Sequence, residues 1–182
     1  MSQPPGPQPA SATGDTQGPE RDLAVTGSQL AAPPAPGGRP IVLLLSGANL
    51  NLFGQRDPEH YGTETLDDFV ARARAAADRH GLDLEHLQSN FEGELVDAIH
   101  AARGRAAAII VNPGALGHYA WSLHDALAAF DGPVVELHVS NPHAREPWRH
   151  TSVIAPVADG TVAGFKGHGY ELAVDAVARL LA

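Results

Sequence analysis

The chain has 182 residues, a formal net charge of −9 and no cysteine. The lack of cysteine excludes a disulfide scaffold and thiol chemistry, and it fits a reducing, cytoplasmic compartment. The acidity argues against nucleic acid as a general partner, since a phosphate-binding surface should be basic, and no run approaches the roughly 20 apolar residues that a membrane span needs.

The first part of the chain, Met1 to Arg39, is rich in Pro, Gly, Ser, Gln and Ala and shows no periodic apolar pattern. Such a segment buries too little apolar surface to offset the entropy lost on ordering, so we expect residues 1–39 to form a disordered tail. It lacks the basic start and apolar core of a signal peptide, and its acidic residues argue against a transit peptide. Residues 40–182 have the size of one common domain.

From residue 40 onward, strand-like and helix-like segments alternate. Apolar or β-branched runs predict five strands, at residues 41–45, 84–88, 106–111, 133–139 and 152–157. Helical spacing of apolar residues predicts four helices, the first of which begins at a Thr65–Asp68 capping box and ends at Gly81. Strands interleaved with helices in one short domain predict an α/β fold, a three-layer flavodoxin-like sandwich with a five-stranded parallel sheet.

The loop after the first strand, GANLNLFGQRDPEHYG (Gly47 to Gly62), brings together Asn49, Asn51, Arg56 and Tyr61. A loop that leaves the carboxyl end of a parallel strand lies where open α/β sheets bind their ligands. Glycine and proline punctuate the segment, so we expect a mobile lid. On this lid, Arg56 is placed to favour the phenolate form of Tyr61.

Two more strand ends place polar residues at the same edge of the predicted sheet. Residues two apart on a strand share a face, so the carboxylate of Glu136 can pair with the imidazole of His138 and fix its tautomer. The convergence of Tyr61, Arg56 and His138 on one edge predicts an acid–base site there. The polar residues of these two strand ends are Asn112, His118, Glu136, His138, Ser140, Asn141, His143, Arg145, Glu146 and Arg149.

Each of these residues also has a simpler interpretation. A lone loop tyrosine is more often a packing residue, and a lone arginine is more often a solvated charge. The ten histidines include no HExxH motif and no close His/Cys cluster, so a metal site is not expected. The segment GFKGHG (Gly164 to Gly169) lacks the spacing of a phosphate cradle and is interpreted as a turn before the last helix, and a Schiff-base role for Lys166 is disfavoured.

Four segments together resemble the type II 3-dehydroquinate dehydratases. GANLNLFGQRDPEHYG is similar to that family's first-strand signature, in which GPNLN precedes an arginine and a catalytic tyrosine. QSNFEGELVDAIHAARG is similar to the second-helix signature, NPGA followed by His118 to the third-strand loop, and ELHVSNPHAREPWRH to the fourth-strand block. The similarity runs in order from about residue 41 to the C-terminus.

The resemblance implies that the chain converts 3-dehydroquinate to 3-dehydroshikimate and water, by anti elimination through an enolate and with no metal or organic cofactor. Shikimate biosynthesis and quinate breakdown both use this step. By family likeness, Tyr61 is the base, Arg56 favours its phenolate, and Asn49 positions a water against the enolate. His138 then protonates the departing hydroxyl while Glu136 orients it.

The resemblance also implies the substrate contacts and the assembly. Asn112 and the backbone amides of Val139 and Ser140 match a pocket for the substrate carboxylate. His118 and Arg149 match groups that hold ring hydroxyls, and Arg145 lies near them. Asp125 matches an acid that reaches a neighbouring subunit's site, so the family likeness implies a trimer-based homo-oligomer, typically a dodecamer.

The chain departs from the family pattern at four positions. Ala48 stands where the family has proline, Leu116 and Gly117 stand where tyrosine and threonine are usual, and His124 stands where arginine is usual. The last three lie near the start of the third predicted helix and the implied subunit contact.

Two other function classes of flavodoxin-like domains, the receiver module and the flavin-binding module, are disfavoured. A receiver module would need clustered acids after the first strand and an aspartate ending the third, and a flavin-binding module would need a Ser/Thr-rich loop after the first strand. This chain has SGANLN and NPGA at those places. A different lyase or hydrolase with a related site, or an inactive paralogue, is compatible with the same residues.

Overall fold

The computed structural model describes residues 37–55 and 58–182, and within them five strands form one parallel sheet. The strands are β1 (Ile41–Ala48), β2 (Asp83–Gln88), β3 (Ala108–Gly114), β4 (Val134–His138) and β5 (Gly160–Ala163), in the order β2-β1-β3-β4-β5. The helices are α1 (Pro58–Tyr61), α2 (Leu66–Arg79), α3 (Glu92–Ala102), α4 (Trp121–Ala128) and α5 (His168–Leu180). The predicted α/β class is confirmed, and the strand order is that of flavodoxin-like folds, which bind ligands where β1 and β3 diverge.

Helices cover both faces of the sheet. Alternate residues of β1 point to opposite sides, so Val42 and Leu44 join the core beneath α2 and α5, whereas Leu43 and Leu45 join the core beneath α3 and α4. Because the strand is buried on both faces, every residue from Ile41 to Leu45 is apolar rather than every second one. Among the residues described, none of the helices combines the length and apolarity that crossing a bilayer requires.

The predicted capping box at the start of α2 is present. The Thr65 hydroxyl accepts a hydrogen bond from the Asp68 amide at 3.2 Å, and the Thr65 amide donates to the Asp68 carboxylate at 2.8 Å. Hydrogen bonding from Thr65 lowers the pKa of Asp68. The tail is predicted over residues 1–39, of which 1–36 lie outside the described residues. Within residues 37–39, Arg39 forms an ion pair with Asp78 at 3.0 Å.

The predicted fifth strand at residues 152–157 is wrong, and the strand that completes the sheet is Gly160–Ala163. The Ser152 hydroxyl accepts hydrogen bonds from the amides of Ile154 and Ala155, both at 3.0 Å, and a 3-10 turn follows over Ala155–Val157. Pro156 also has no N–H to donate to a ladder. Val153 and Ile154 are buried in the core beneath α3 and α4, so the apolar pattern reflects core packing rather than strand pairing.

Candidate active site

A pocket opens at the carboxyl edge of the sheet, where β1, β3 and β4 end. Residues Ala48 and Gly114 pair in register, so the loops after β1 and β3 leave the sheet side by side. A methyl group at Gly47 would lie 2.1 Å from the Pro113 carbonyl oxygen, so this close approach requires glycine. The predicted site residues that line the pocket are Asn49, Tyr61, Asn112, His118, His138, Val139, Ser140, Arg145 and Arg149.

Asn49 turns the chain away from β1 and into the pocket wall. Its backbone is left-handed, with φ of 66°, a conformation that asparagine tolerates better than most residues. The Asn49 backbone amide donates a hydrogen bond to the Asn90 side-chain oxygen at 2.8 Å, which holds this turn against the loop after β2. Ala48, where the family pattern has proline, is the last residue of β1.

Tyr61 ends α1 and lies in the pocket wall with 7% of its surface exposed. The Arg145 guanidinium donates a hydrogen bond to the Tyr61 hydroxyl oxygen at 2.7 Å and another to the Ser140 hydroxyl at 3.3 Å. A cation that donates to a phenolic oxygen favours the phenolate. Arg145 is therefore a cation in contact with Tyr61, whereas the sequence analysis placed it only near His118 and Arg149. Arg56 lies outside the described residues.

His138 ends β4 and forms the expected contact with Glu136, from Nε2 to Oε1 at 2.8 Å. Glu136 is fully buried, and two hydroxyl groups donate to its carboxylate: Ser152 at 2.6 Å and Thr161 at 3.4 Å. A buried carboxylate that also accepts these bonds is fixed in place and can orient the imidazole. The sequence reasoning missed Ser152 and Thr161, although Thr161 is the register partner of Glu136 once β5 is correctly placed.

Asn112 lies almost fully buried at the floor of the pocket. Its side-chain nitrogen donates to the Tyr170 hydroxyl oxygen at 3.2 Å, and its side-chain oxygen accepts from the Gly114 amide at 3.4 Å. Burial raises the pKa of Tyr170 to about 12, although hydrogen bonds from Asn112 and Ser46 act in the opposite direction. Tyr170 therefore stays protonated, and the sequence had indicated only that it is a core residue of the last helix.

His118 and Arg149 form the outer part of the pocket. His118 Nδ1 donates to the Thr151 carbonyl at 2.7 Å, and its ring stacks near His138 with 6.2 Å between ring centroids. Burial lowers the pKa of His118, and the neighbouring His138 and Arg149 lower it further, while the Thr151 bond partly offsets them. A neutral His118 with Nδ1 bonded in this way presents Nε2 to the pocket as an acceptor. The Arg149 guanidinium lies 4.0 Å from the Trp148 ring centroid.

The departures from the family pattern near His118 are accommodated by packing. Leu116 is buried in the core beneath α3 and α4. A methyl group at Gly117 would lie 2.6 Å from Pro113 Cγ, and the Gly117 carbonyl accepts from the Val153 amide at 2.8 Å. His124 Nδ1 donates to the Val153 carbonyl at 2.7 Å. These contacts hold the loop so that His118 still reaches the pocket.

Asp125 differs from the other predicted site residues in its position. It lies exposed on α4 and does not line the pocket of its own chain. Two exposed aromatic residues, Tyr119 and Trp121, precede it, with 59% and 63% of their surfaces exposed.

The pocket is cationic although the chain is acidic. Its described lining includes two arginines and two histidines and contains no carboxylate, while Glu136 lies buried behind His138. Such a lining suits an anionic ligand that also offers hydroxyl groups. Within residues 37–55 and 58–182, no three His, Cys, Asp or Glu side chains are grouped so that they could hold a metal ion.

Comparison with known proteins adds a family match. Residues 40–178 match the family model for dehydroquinase class II. A Pseudomonas putida protein named 3-dehydroquinate dehydratase 2 is 48% identical over 143 residues, which cover 79% of this chain and 96% of that protein. A Corynebacterium efficiens protein named 3-dehydroquinate dehydratase 1 is 53% identical over 137 residues, covering 75% and 91%. The crystal structure of a type II dehydroquinase from Propionibacterium acnes has a TM-score of 0.75 at 39% identity, covering 78% of this chain and 98% of that one.

Proposed function

The chain belongs to the class II dehydroquinase family and is a 3-dehydroquinate dehydratase, a hydro-lyase, and we propose that it eliminates water with Tyr61 as the base and His138 as the acid. One observation carries this assignment: Tyr61 and His138 line the same pocket, and each contacts a charged side chain. A guanidinium holds the Tyr61 oxygen at 2.7 Å, which favours the anion needed in a base. A buried carboxylate holds the His138 ring at 2.8 Å, which favours the cation needed in an acid.

In the first step, the Tyr61 phenolate removes the proton from the carbon next to the substrate ketone. The electrons of the broken C–H bond move into the ketone to form an enolate. Arg145 stabilises the phenolate before the transfer, and we assign Arg56 the same role on family resemblance alone. Asn49 holds a water against the enolate oxygen, where negative charge develops.

In the second step, the enolate electrons form the ring double bond and the hydroxyl leaves from the neighbouring carbon. His138, cationic beside Glu136, gives its proton to that hydroxyl, which departs as water from the face opposite Tyr61. Turnover ends with Tyr61 protonated and His138 neutral. One proton must then pass from Tyr61 to His138, through solvent, before the next cycle.

The remaining pocket residues hold the substrate. We assign Asn112 and the backbone amides of Val139 and Ser140 to the carboxylate, and His118 and Arg149 to the ring hydroxyls. The cationic lining supports this assignment, because 3-dehydroquinate is an anion with several hydroxyl groups.

We further propose that the enzyme assembles as a homo-oligomer, a dodecamer built from trimers, in which Asp125 reaches a neighbouring subunit's pocket. The exposure of Asp125 and of the adjacent Tyr119 and Trp121 supports this arrangement. Sedimentation velocity should show one large species, and a monomer at assay concentrations would contradict it. We also propose a cytoplasmic location, on the lack of cysteine, and a tail over residues 1–39 whose removal leaves turnover intact.

The experiment that tests the proposed function uses protein dialysed against a chelator and then mixed with 3-dehydroquinate. A steady rise in the ultraviolet absorbance of the conjugated enone product is expected. The rise should persist after treatment with borohydride and substrate, since no imine forms at Lys166. No rise from a folded, assembled sample would contradict the proposal, and covalent trapping at Lys166 would contradict the mechanism.

A further inference from the structure

A line of hydrogen-bonding side chains runs from the pocket floor toward the β2 edge of the sheet. Asn112 donates to Tyr170 at 3.2 Å, Tyr170 is hydrogen-bonded to Ser46, and Ser46 Oγ lies 3.0 Å from His86 Nε2. Asn112, Tyr170 and Ser46 have 2% or less of their surfaces exposed. The catalytic steps use none of Tyr170, Ser46 and His86.

Tyr170 is held from both sides. Its oxygen accepts from Asn112, and Ser46 is bonded to the same hydroxyl. Burial lowers the pKa of His86 to about 4, so its ring is neutral near pH 7 and shares one hydrogen bond with Ser46.

Two contacts determine which way the Asn112 side-chain amide faces. Its nitrogen donates to the Tyr170 oxygen at 3.2 Å, and its oxygen accepts from the Gly114 backbone amide at 3.4 Å. One N–H of Asn112 is thus used by Tyr170, and the second N–H remains for a ligand in the pocket.

We propose that Tyr170 is a positioning residue for the substrate carboxylate: it fixes the Asn112 amide with an N–H toward the pocket, and Ser46 and His86 fix Tyr170. This inference rests on the proposed function, in which Asn112 binds the carboxylate. The carboxylate keeps its charge throughout the reaction, so its contact is made equally in the ground state and the transition state. Losing such a contact raises KM more than it lowers kcat.

Tyr170→Phe is the first test because it removes only the hydroxyl. The ring, which stacks on Phe69 with 5.3 Å between centroids, is retained. We expect KM to rise about tenfold. The inhibition constant of quinate, used as a carboxylate-bearing competitor, should rise by the same factor. A tenfold rise corresponds to the loss of one hydrogen bond. The value of kcat should fall by a smaller factor.

A double-mutant cycle separates positioning from a general structural effect. If Tyr170 acts through Asn112, Tyr170→Phe should raise KM in the parent protein and have little further effect in Asn112→Ala. Ser46→Ala should also raise KM without altering either residue, since Tyr170 would lose the hydrogen bond that holds its hydroxyl beside Asn112. Ser89→Ala, which removes another buried hydroxyl bonded to Glu94 at 2.6 Å, serves as the matched control and should leave KM unchanged.

The outcomes are distinct. Parent-like KM and quinate inhibition in folded Tyr170→Phe would overturn the inference, as would an equal effect of that variant in both backgrounds. If Tyr170→Phe fails to fold, parent-like kinetics in Ser46→Ala would overturn it instead. An unchanged KM in Asn112→Ala would overturn the proposed carboxylate subsite and, with it, this inference. Absence of turnover in the parent protein would overturn the proposed function itself.

Discussion

Replacing Glu136 by Gln tests whether the buried carboxylate sustains the acid. The substitution keeps the shape of the side chain and removes its charge, which lies 2.8 Å from His138 Nε2 in a fully buried position. Two unit charges at that distance attract by about 6 kcal/mol at an effective dielectric constant of 20, an upper bound. Hydrogen bonds to charged groups contribute about 1.5–3 kcal/mol net, so we expect kcat to fall by about 10- to 150-fold.

The assay is initial-rate enone absorbance at saturating 3-dehydroquinate, with the fold checked by thermal unfolding. KM should change little, because Glu136 does not line the pocket. Glu94→Gln is the matched control, since the Glu94 carboxylate also accepts a serine hydroxyl at 2.6 Å but lies outside the pocket. A folded Glu136→Gln protein with the parent kcat would refute the reasoning.

Three further substitutions extend the account. Arg145→Met removes the guanidinium bonded to Tyr61 at 2.7 Å and should lower kcat/KM, measured by enone absorbance, by about tenfold or more. An unchanged kcat/KM would show that Arg145 does not assist Tyr61 as the base. His86 has a folded pKa of about 4, below its ordinary 6.5, so the native state binds fewer protons between these values and stability falls as pH drops from 6.5 to 4. In urea unfolding, His86→Gln should lose about 3 kcal/mol less stability than the parent protein over this pH range. Identical pH slopes in the two proteins would contradict the lowered pKa of His86. Gly47→Ala places a methyl group 2.1 Å from the Pro113 carbonyl oxygen and should lower the free energy of unfolding by about 1–3 kcal/mol. A parent-like melting temperature would show that the backbone shifts at this position without loss of stability.

Most of the fold could be predicted because β1 and β3 are buried on both faces. Burial on both sides demands continuous apolar runs, which stand out in a sequence. The edge strand β5 could not be found in this way. Its GTVA sequence is only partly buried, while the neighbouring segment 152–157 is more apolar because it packs into the core.

The site was predictable where its residues lie close in sequence or at strand ends. The Glu136–His138 contact follows from their two-residue spacing on β4. The contacts of Arg145 with Tyr61 and of Tyr170 with Asn112 join residues 84 and 58 positions apart, and depend on loop and helix docking that local patterns do not encode. The apolar pattern of residues 152–157 predicts a strand, and a strand there gives no reason to expect the Ser152 hydroxyl at Glu136.

Hydrogen exchange into the substrate in heavy water tests the central claim, that Tyr61 and His138 perform separate proton transfers. NMR can follow loss of the proton next to the ketone while absorbance follows enone formation. His138→Asn should still exchange this proton while forming enone at least about 100-fold more slowly, because the base remains and the acid is lost. Tyr61→Phe should do neither. Exchange catalysed by Tyr61→Phe, or parent-like enone formation by either variant, would contradict the account.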